Sequence, residues 1–409
     1  MTATTDHIAV TGLGLITPAG DTAPHTWEGL CRGAPTATPD PALAGLPTDF
    51  SCRATMFDAD TILGRELAWR MDRFSHLAIT AAREATVHAG LTSTDWDPTR
   101  VGIVIGIGGD SKDASHNAYS KILGGRHKSV SPSTIPRTSP NMAAGEISLD
   151  LGIQGPSLTV CTACASGATA LAIARDLLRS RTCDIVLAGG ADAATNIFSA
   201  VGFGKMQALS RRNHDPAGAS RPFDTERDGF VLSEGAAVLV LENSRHARAR
   251  RARIHAYLAG ASVISEAHHI TAPTPDGSGA ARAIRAALTQ AGLSPCDINH
   301  VNVHATSTRA GDLAEARALR TVFPSPPPVT ANKSVIGHSI AAAGAIEAAV
   351  TVQSLIHQTI PPTANLDRID PDVDLDVITK APRRHPIHAA VTNSFGFGGQ
   401  NTVLVFTAS

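Results

Sequence analysis

Residues 156–167 read PSLTVCTACASG, and the stretch Thr162-Ala163-Cys164-Ala165-Ser166-Gly167 within them decides how the rest of the chain is read. The apolar run 156–160 predicts a buried strand, and the Ala- and Leu-rich segment 168–179 predicts a helix. Cys164 then falls on a strand-to-helix turn. A sulfur there stands at a helix N-terminus, where the dipole and free N–H groups favour thiolate over thiol. The same N–H groups can bond an oxyanion formed when the sulfur attacks a carbonyl. Gly167 and its small neighbours allow the sharp turn. Two other readings compete. Most free cysteines are small buried hydrophobes. Cys161 and Cys164 also form a C-x-x-C pair, but Cys31, Cys52, Cys183 and Cys296 are scattered singly and no second pair completes a zinc site.

Working outward, strands are predicted at 7–18, 101–109, 183–191 and 236–241, then at 254–264, 300–305, 329–331, 389–393 and 402–406. Helices are predicted at 26–32, 65–90, 141–151 and 244–253, then at 278–292, 311–321 and 340–357. Residues 110–140 read as a polar loop. Strand–helix alternation in both halves predicts parallel-dominated sheets with helices on their faces. No repeat aligns between the halves. The glycines of 101–109 miss the spacing of a dinucleotide fingerprint.

Composition narrows the class. The chain has 409 residues, enough for two or three domains or two halves sharing one interior. Hydrophobic residues are 43% and charged residues 17%, which suits close-packed helices on buried strands. Lys+Arg 35 against Asp+Glu 36 argues against coating nucleic acid. No uninterrupted apolar run approaches the ~20 residues of a membrane span. Residues 1–20 lack the pattern of a signal peptide. Unpatterned cysteines without an export signal point to the cytoplasm.

Three more stretches share the grammar of an apolar strand ending in small residues and one polar group. They are 303–312 (VHATSTRAGD), 332–344 (NKSVIGHSIAAAG) and 393–401 (NSFGFGGQN). Histidines beside strand ends matter because open α/β sheets place ligands there. Together with Cys164 the set resembles the β-ketoacyl-acyl-carrier-protein synthases, especially their elongating type II branch. Arg221-Pro222-Phe223-Asp224, residues 227–231 (RDGFV) and Glu234-Gly235 resemble that family's central segment. The resemblance spans residues 8–406.

The resemblance implies a thiolase-like α/β fold: two similar βαβαβ halves, 1–250 and 251–409, in α-β-α-β-α layers. It implies that Cys164 accepts the acyl chain and that His304 and His338 complete a Cys-His-His set. Lys333 would support them, with Glu347 as its partner. Thr306 and Thr308 would hold a pantetheine arm. Phe397, with Gly398 and Gly399, would form a gating loop whose Phe397 N–H completes an oxyanion hole with that of Cys164. Ile107 would floor the acyl pocket. The implied reaction is decarboxylative Claisen condensation with malonyl-carrier, in a fatty-acid or type II polyketide system, with no metal or organic cofactor.

The implied partners are acyl- and malonyl-loaded acyl carrier protein and a second subunit, either another copy or a chain-length factor, without nucleic acid or membrane. Arg126, Lys128, Lys205 and Arg211 are candidates for docking an acidic carrier. Ala305, Ser233, Gln400 and Ser339-Ile340-Ala341 depart from the family pattern. Two other classes stand beside this reading. One is a non-catalytic chain-length-factor-like subunit, against which Cys164 speaks. The other is a cysteine hydrolase using Cys164, a histidine and Asn393.

Overall fold

The computed structural model describes residues 7–92 and 94–409. The first six residues, part of the segment read for a leader, lie outside it. In chain order the main strands are β1 (Ile8–Ile16), β2 (Val101–Gly106), β3 (Ser157–Val160), β4 (Ile185–Ala193), β5 (Glu234–Asn243), β6 (Ala256–Ser265), β7 (His300–Asn302), β8 (Val329–Thr330), β9 (Ala389–Gly396) and β10 (Gln400–Ala408). The helices that matter here are α1 (Arg73–His88), α2 (Lys112–Leu123), α3 (Met142–Leu151), α4 (Ser166–Arg179), α5 (Ile197–Lys205), α6 (Ser278–Ala291), α7 (Arg309–Val322) and α8 (Ala343–His357).

The strands run in the order β8-β7-β9-β10-β6-β1-β5-β4-β2-β3. Counted outward from the junction, the first half reads β1-β5-β4-β2-β3 and the second β6-β10-β9-β7-β8. These are the same order, so the architecture is duplicated where the sequence shows no repeat. Among the described residues the half-sheets meet through three residue pairs, Ile8↔Leu258, Ala9↔Tyr257 and Val10↔Ala256. Helices α4 and α8 pack on each other and touch strands of both halves. Helices α1 and α3 cover the first half, and α6 and α7 the second. The layers are therefore α-β-α-β-α, a thiolase-like fold.

Small residues set the middle layer. A Cβ on Gly167 would lie 2.8 Å from Ala345 Cβ and 2.9 Å from Ala341 O, so α4 and α8 cross backbone to backbone. Their Ala-rich faces join one core with Leu239 and Leu241 of β5 and Leu404 and Phe406 of β10. The stretch Ile340–His357 has the length and hydropathy of a membrane span, yet 83% of it is buried between the sheets.

Four expectations need correction. The sheet is not parallel-dominated: β9-β10-β6-β1-β5-β4 pair antiparallel, and only the outer strands are parallel. Each half's fifth strand returns beside its first, which strand–helix alternation does not reveal. Strand β3 is an exposed edge rather than buried, with Leu158 42% accessible. The polar segment 110–140 contains α2, which buries none of its residues and so shows no apolar stripe. The predicted helix 65–90 breaks at Asp72, whose side chain caps Arg73.

Candidate active site

The nucleophile turn is braced from within. Ala163 takes a left-handed φ of 51°, a strain of about 1–3 kcal/mol for a residue with a Cβ. Thr162 N–H donates to Ser166 Oγ at 2.9 Å, and that hydroxyl donates to Ala163 O at 2.6 Å. The strained position is thus Ala163, one of the small neighbours of Gly167. Across it lies the loop after β9. A Cβ on Gly396 would sit 2.4 Å from Thr162 O and 3.2 Å from Cys164 N, so only glycine lets the two loops meet. The N–H groups of Phe397 and Cys164 both favour the ionised sulfur.

The duplicated topology supplies the facing groups. Cys164 follows the third strand of the first half, and His338 follows the third strand of the second, after the short helix Lys333–Ile336. His304 follows β7. The two imidazoles lie 5.5 Å apart, centroid to centroid, nearly perpendicular. With Cys164, Thr306, Thr308, Phe397 and Gly399 they line one cavity of about 290 Å³. Thr306 Oγ1 and Thr308 Oγ1 stand 3.0 Å apart.

Other predicted residues stand behind or beside this cavity. Lys333 is buried, donates to His304 O at 2.7 Å, bonds Glu347 Oε1, and holds its Nζ 3.4 Å from His304 Nδ1. That contact suits the neutral tautomer whose Nδ1 accepts and whose Nε2 carries the proton. Ile107 lies on a second cavity. Gly398, at φ 78°, bonds Ile270 O rather than lining the first cavity. Lys205 ends α5 beside Met206 and Gln207 of the cavity rim, whereas Arg126 and Lys128 are not part of that rim.

Burial sets the electrostatics. It pushes the Cys164 thiol up to about 12, against the Lys333 charge and the two N–H groups. The thiolate expected at the helix terminus is therefore a thiol at rest, because desolvation outweighs the dipole. Burial, with Lys333 nearby, also holds His304 and His338 well below 6.5. Both are neutral near pH 7: able to accept a proton, or to donate an N–H bond without carrying charge.

Three further residues shape the site. Glu315 of α7 accepts from the N–H of His304 at 2.9 Å and of Ala305 at 2.7 Å. It also holds the Asn393 amide at 2.9 Å, so Asn393 orients no histidine. Phe230 packs edge-on against His338 at 5.1 Å, and Phe203 lies 6.1 Å from Phe397. An acid in an Ala- and Arg-rich helix reads as a solvated face, so no sequence signal marks Glu315. The Phe230 motif was visible without its role.

A sulfur on a helix-leading turn, opposed by two neutral imidazoles and two convergent N–H groups, belongs on this fold to the carbon–carbon condensing enzymes. The family described as Beta-ketoacyl synthase, N-terminal domain, matches residues 5–247, and its C-terminal domain matches residues 255–367. A "3-oxoacyl-[acyl-carrier-protein] synthase 2" of Synechocystis sp. is 39% identical over 98% of this chain and 97% of its own. One of Staphylococcus aureus is 36% identical over 98% and 97%. Among solved structures, a type II polyketide-synthase ketosynthase in complex with its acyl-carrier protein superposes with a TM-score of 0.91 at 30% identity, over 99% of both chains. The ishigamide ketosynthase/chain length factor gives 0.92 at 32%, also over 99% of both. The chain belongs to the β-ketoacyl synthase family and is a ketosynthase, an acyltransferase.

Proposed function

We propose that this chain elongates a carrier-bound acyl group by decarboxylative Claisen condensation, with Cys164 as nucleophile. The observation that carries the assignment is the meeting of Cys164, His304 and His338 in one cavity. In the first half-reaction the Cys164 sulfur attacks the acyl thioester and a neutral imidazole takes the thiol proton. The N–H groups of Cys164 and Phe397 bond the oxyanion. The carrier thiol leaves with the proton, and the acyl group stays on Cys164.

Malonyl-carrier then enters along Thr306 and Thr308. Its carboxylate leaves as carbon dioxide, and the bond's electrons form an enolate. The Nε2–H of His304, with His338 beside it, hydrogen-bonds the enolate oxygen. Its carbon attacks the Cys164 thioester, expelling the sulfur and releasing a β-ketoacyl-carrier. Lys333, Glu347 and Glu315 are positioning residues that fix the His304 ring and backbone.

Retention of Cys164 supports a catalytic subunit over a chain-length factor. The engagement of Asn393 with Glu315 disfavours the hydrolase arrangement. The partners are acyl- and malonyl-loaded acyl carrier protein and a second subunit, another copy of this chain or a chain-length factor, on the exposed β3 edge. All six cysteines are unpaired, which supports a cytoplasmic setting. The test is malonyl-carrier decarboxylation and condensation by variants. Cys164→Ala should abolish condensation, and His338→Ala should lower decarboxylation about 10²-fold or more. Condensation by Cys164→Ala would refute the assignment.

A further inference from the structure

The two imidazoles of the site are held differently. Lys333 faces His304 Nδ1, and Glu315 accepts from the His304 N–H. His338 Nδ1 is buried and has no hydrogen-bond partner among the described residues. Its ring is therefore placed by the backbone that carries it, with Phe230 packed edge-on. At His338 itself the N–H donates to Val231 O at 2.8 Å, and the carbonyl accepts from Ser233 N–H at 3.1 Å. Two residues on, the chain turns sharply. Ile340, a β-branched residue, takes a left-handed φ of 47°. Such a conformation persists only where the surroundings impose it.

The bond that does so comes from the other half of the molecule. Asp192, near the end of β4, accepts from Ala341 N–H at 3.2 Å and from Ala193 N–H at 2.8 Å. Ala341 lies in the short turn Ile340–Ala342 that leads into α8, and neither Ser339 nor Ala342 supplies a side-chain cap there. The first N–H groups of a helix lack partners within it, and a carboxylate satisfies one while complementing the dipole. The seat is tight. A Cβ on Gly190 would lie 2.8 Å from Ala341 O, and one on Gly108 would lie 2.4 Å from Asp192 Oδ2. The carboxylate also opposes ionisation of Cys164, so its charge reaches the sulfur.

We propose that Asp192 is a positioning residue for decarboxylation: by holding Ala341 N–H it fixes the turn after His338 and, through it, the ring that faces Cys164. This rests on the ketosynthase reading of the site. The test measures malonyl-carrier decarboxylation by the full chain and three variants. Asp192→Ala should lower kcat about tenfold with KM within about twofold of wild type, the effect of one lost hydrogen bond to a charged group. Asp192→Asn keeps an oxygen that can accept from Ala341 N–H and should stay within about threefold of wild type. Gly108→Ala keeps the carboxylate but pushes it off Ala341 N–H, and should lower kcat about as far as Asp192→Ala. Iodoacetamide alkylation of the buried Cys183, followed in the same samples, should keep its wild-type rate in all three.

A wild-type kcat in Asp192→Ala or in Gly108→Ala overturns the proposal. So does a loss carried by KM, or one matched by faster Cys183 alkylation, which marks a loosened fold. In each of these cases decarboxylation by the unmodified protein leaves the ketosynthase reading standing. No decarboxylation by the unmodified protein overturns that reading along with this one.

Discussion

Cys164 is buried, and burial holds it as a thiol, with a pKa raised to about 12. Attack therefore needs a base at the moment of reaction, and the neutral imidazoles facing the cavity provide one. The pH dependence follows with a definite sign. A thiol whose pKa is raised gives more thiolate at each step up in pH. Alkylation of Cys164 by iodoacetamide in the resting enzyme should keep rising with pH through pH 9, followed by mass spectrometry of its peptide. A plateau near pH 7 would show a thiolate at rest and remove the need for a base. At this scale Cys164, His304, His338 and Lys333 were legible because each sits in a short motif of small residues. Glu315 was not, since its burial depends on how α7 docks under the His304 loop. The protonation of Cys164 was not legible either, because desolvation belongs to the folded interior and not to the turn.

The critical element is the closed end of the β9–β10 hairpin, 393–401, packed against the nucleophile turn. Its register leaves no room for a side chain at Gly396, where a Cβ would fall 2.4 Å from a carbonyl oxygen. Gly396→Ala should push the Phe397 N–H away from the sulfur. Acylation should fall about 10²-fold, as for loss of one oxyanion donor, with thermal stability lowered by about 1–3 kcal/mol. Paired acylation rates and melting curves check this; wild-type acylation would mean that the loop does not form the oxyanion site. The ten strands were visible as apolar runs, and their glycines marked the close approaches. Helices α2 and α5 were not, because α2 buries nothing and α5 buries only Ala200. Periodicity reports burial, and an element without a buried face is silent to it.

For the whole molecule, two five-stranded halves of identical order place the Cys164 turn and the His338 loop at matching positions, facing each other across α4 and α8. Sequence alternation indicated layered α/β architecture but not the antiparallel centre, because strand direction there depends on where the fifth strand returns. Strand β3 leaves an open edge with Leu158 exposed, and Phe198, Tyr119 and Leu123 are also exposed apolar side chains. Open edges and exposed apolar surface invite a partner. The two-subunit assembly proposed above predicts that Leu158→Lys lowers the mass seen by light scattering after size exclusion to that of one chain, and an unchanged mass would place the interface elsewhere. The most direct test of the whole account follows the acyl group itself. After incubation with acyl-carrier, peptide mass spectrometry should find the acyl mass on Cys164 alone. On adding malonyl-carrier, that mass should disappear as a β-ketoacyl-carrier two carbons longer forms. An acyl group on another residue, or its release as free acid without a new carbon–carbon bond, would contradict the account.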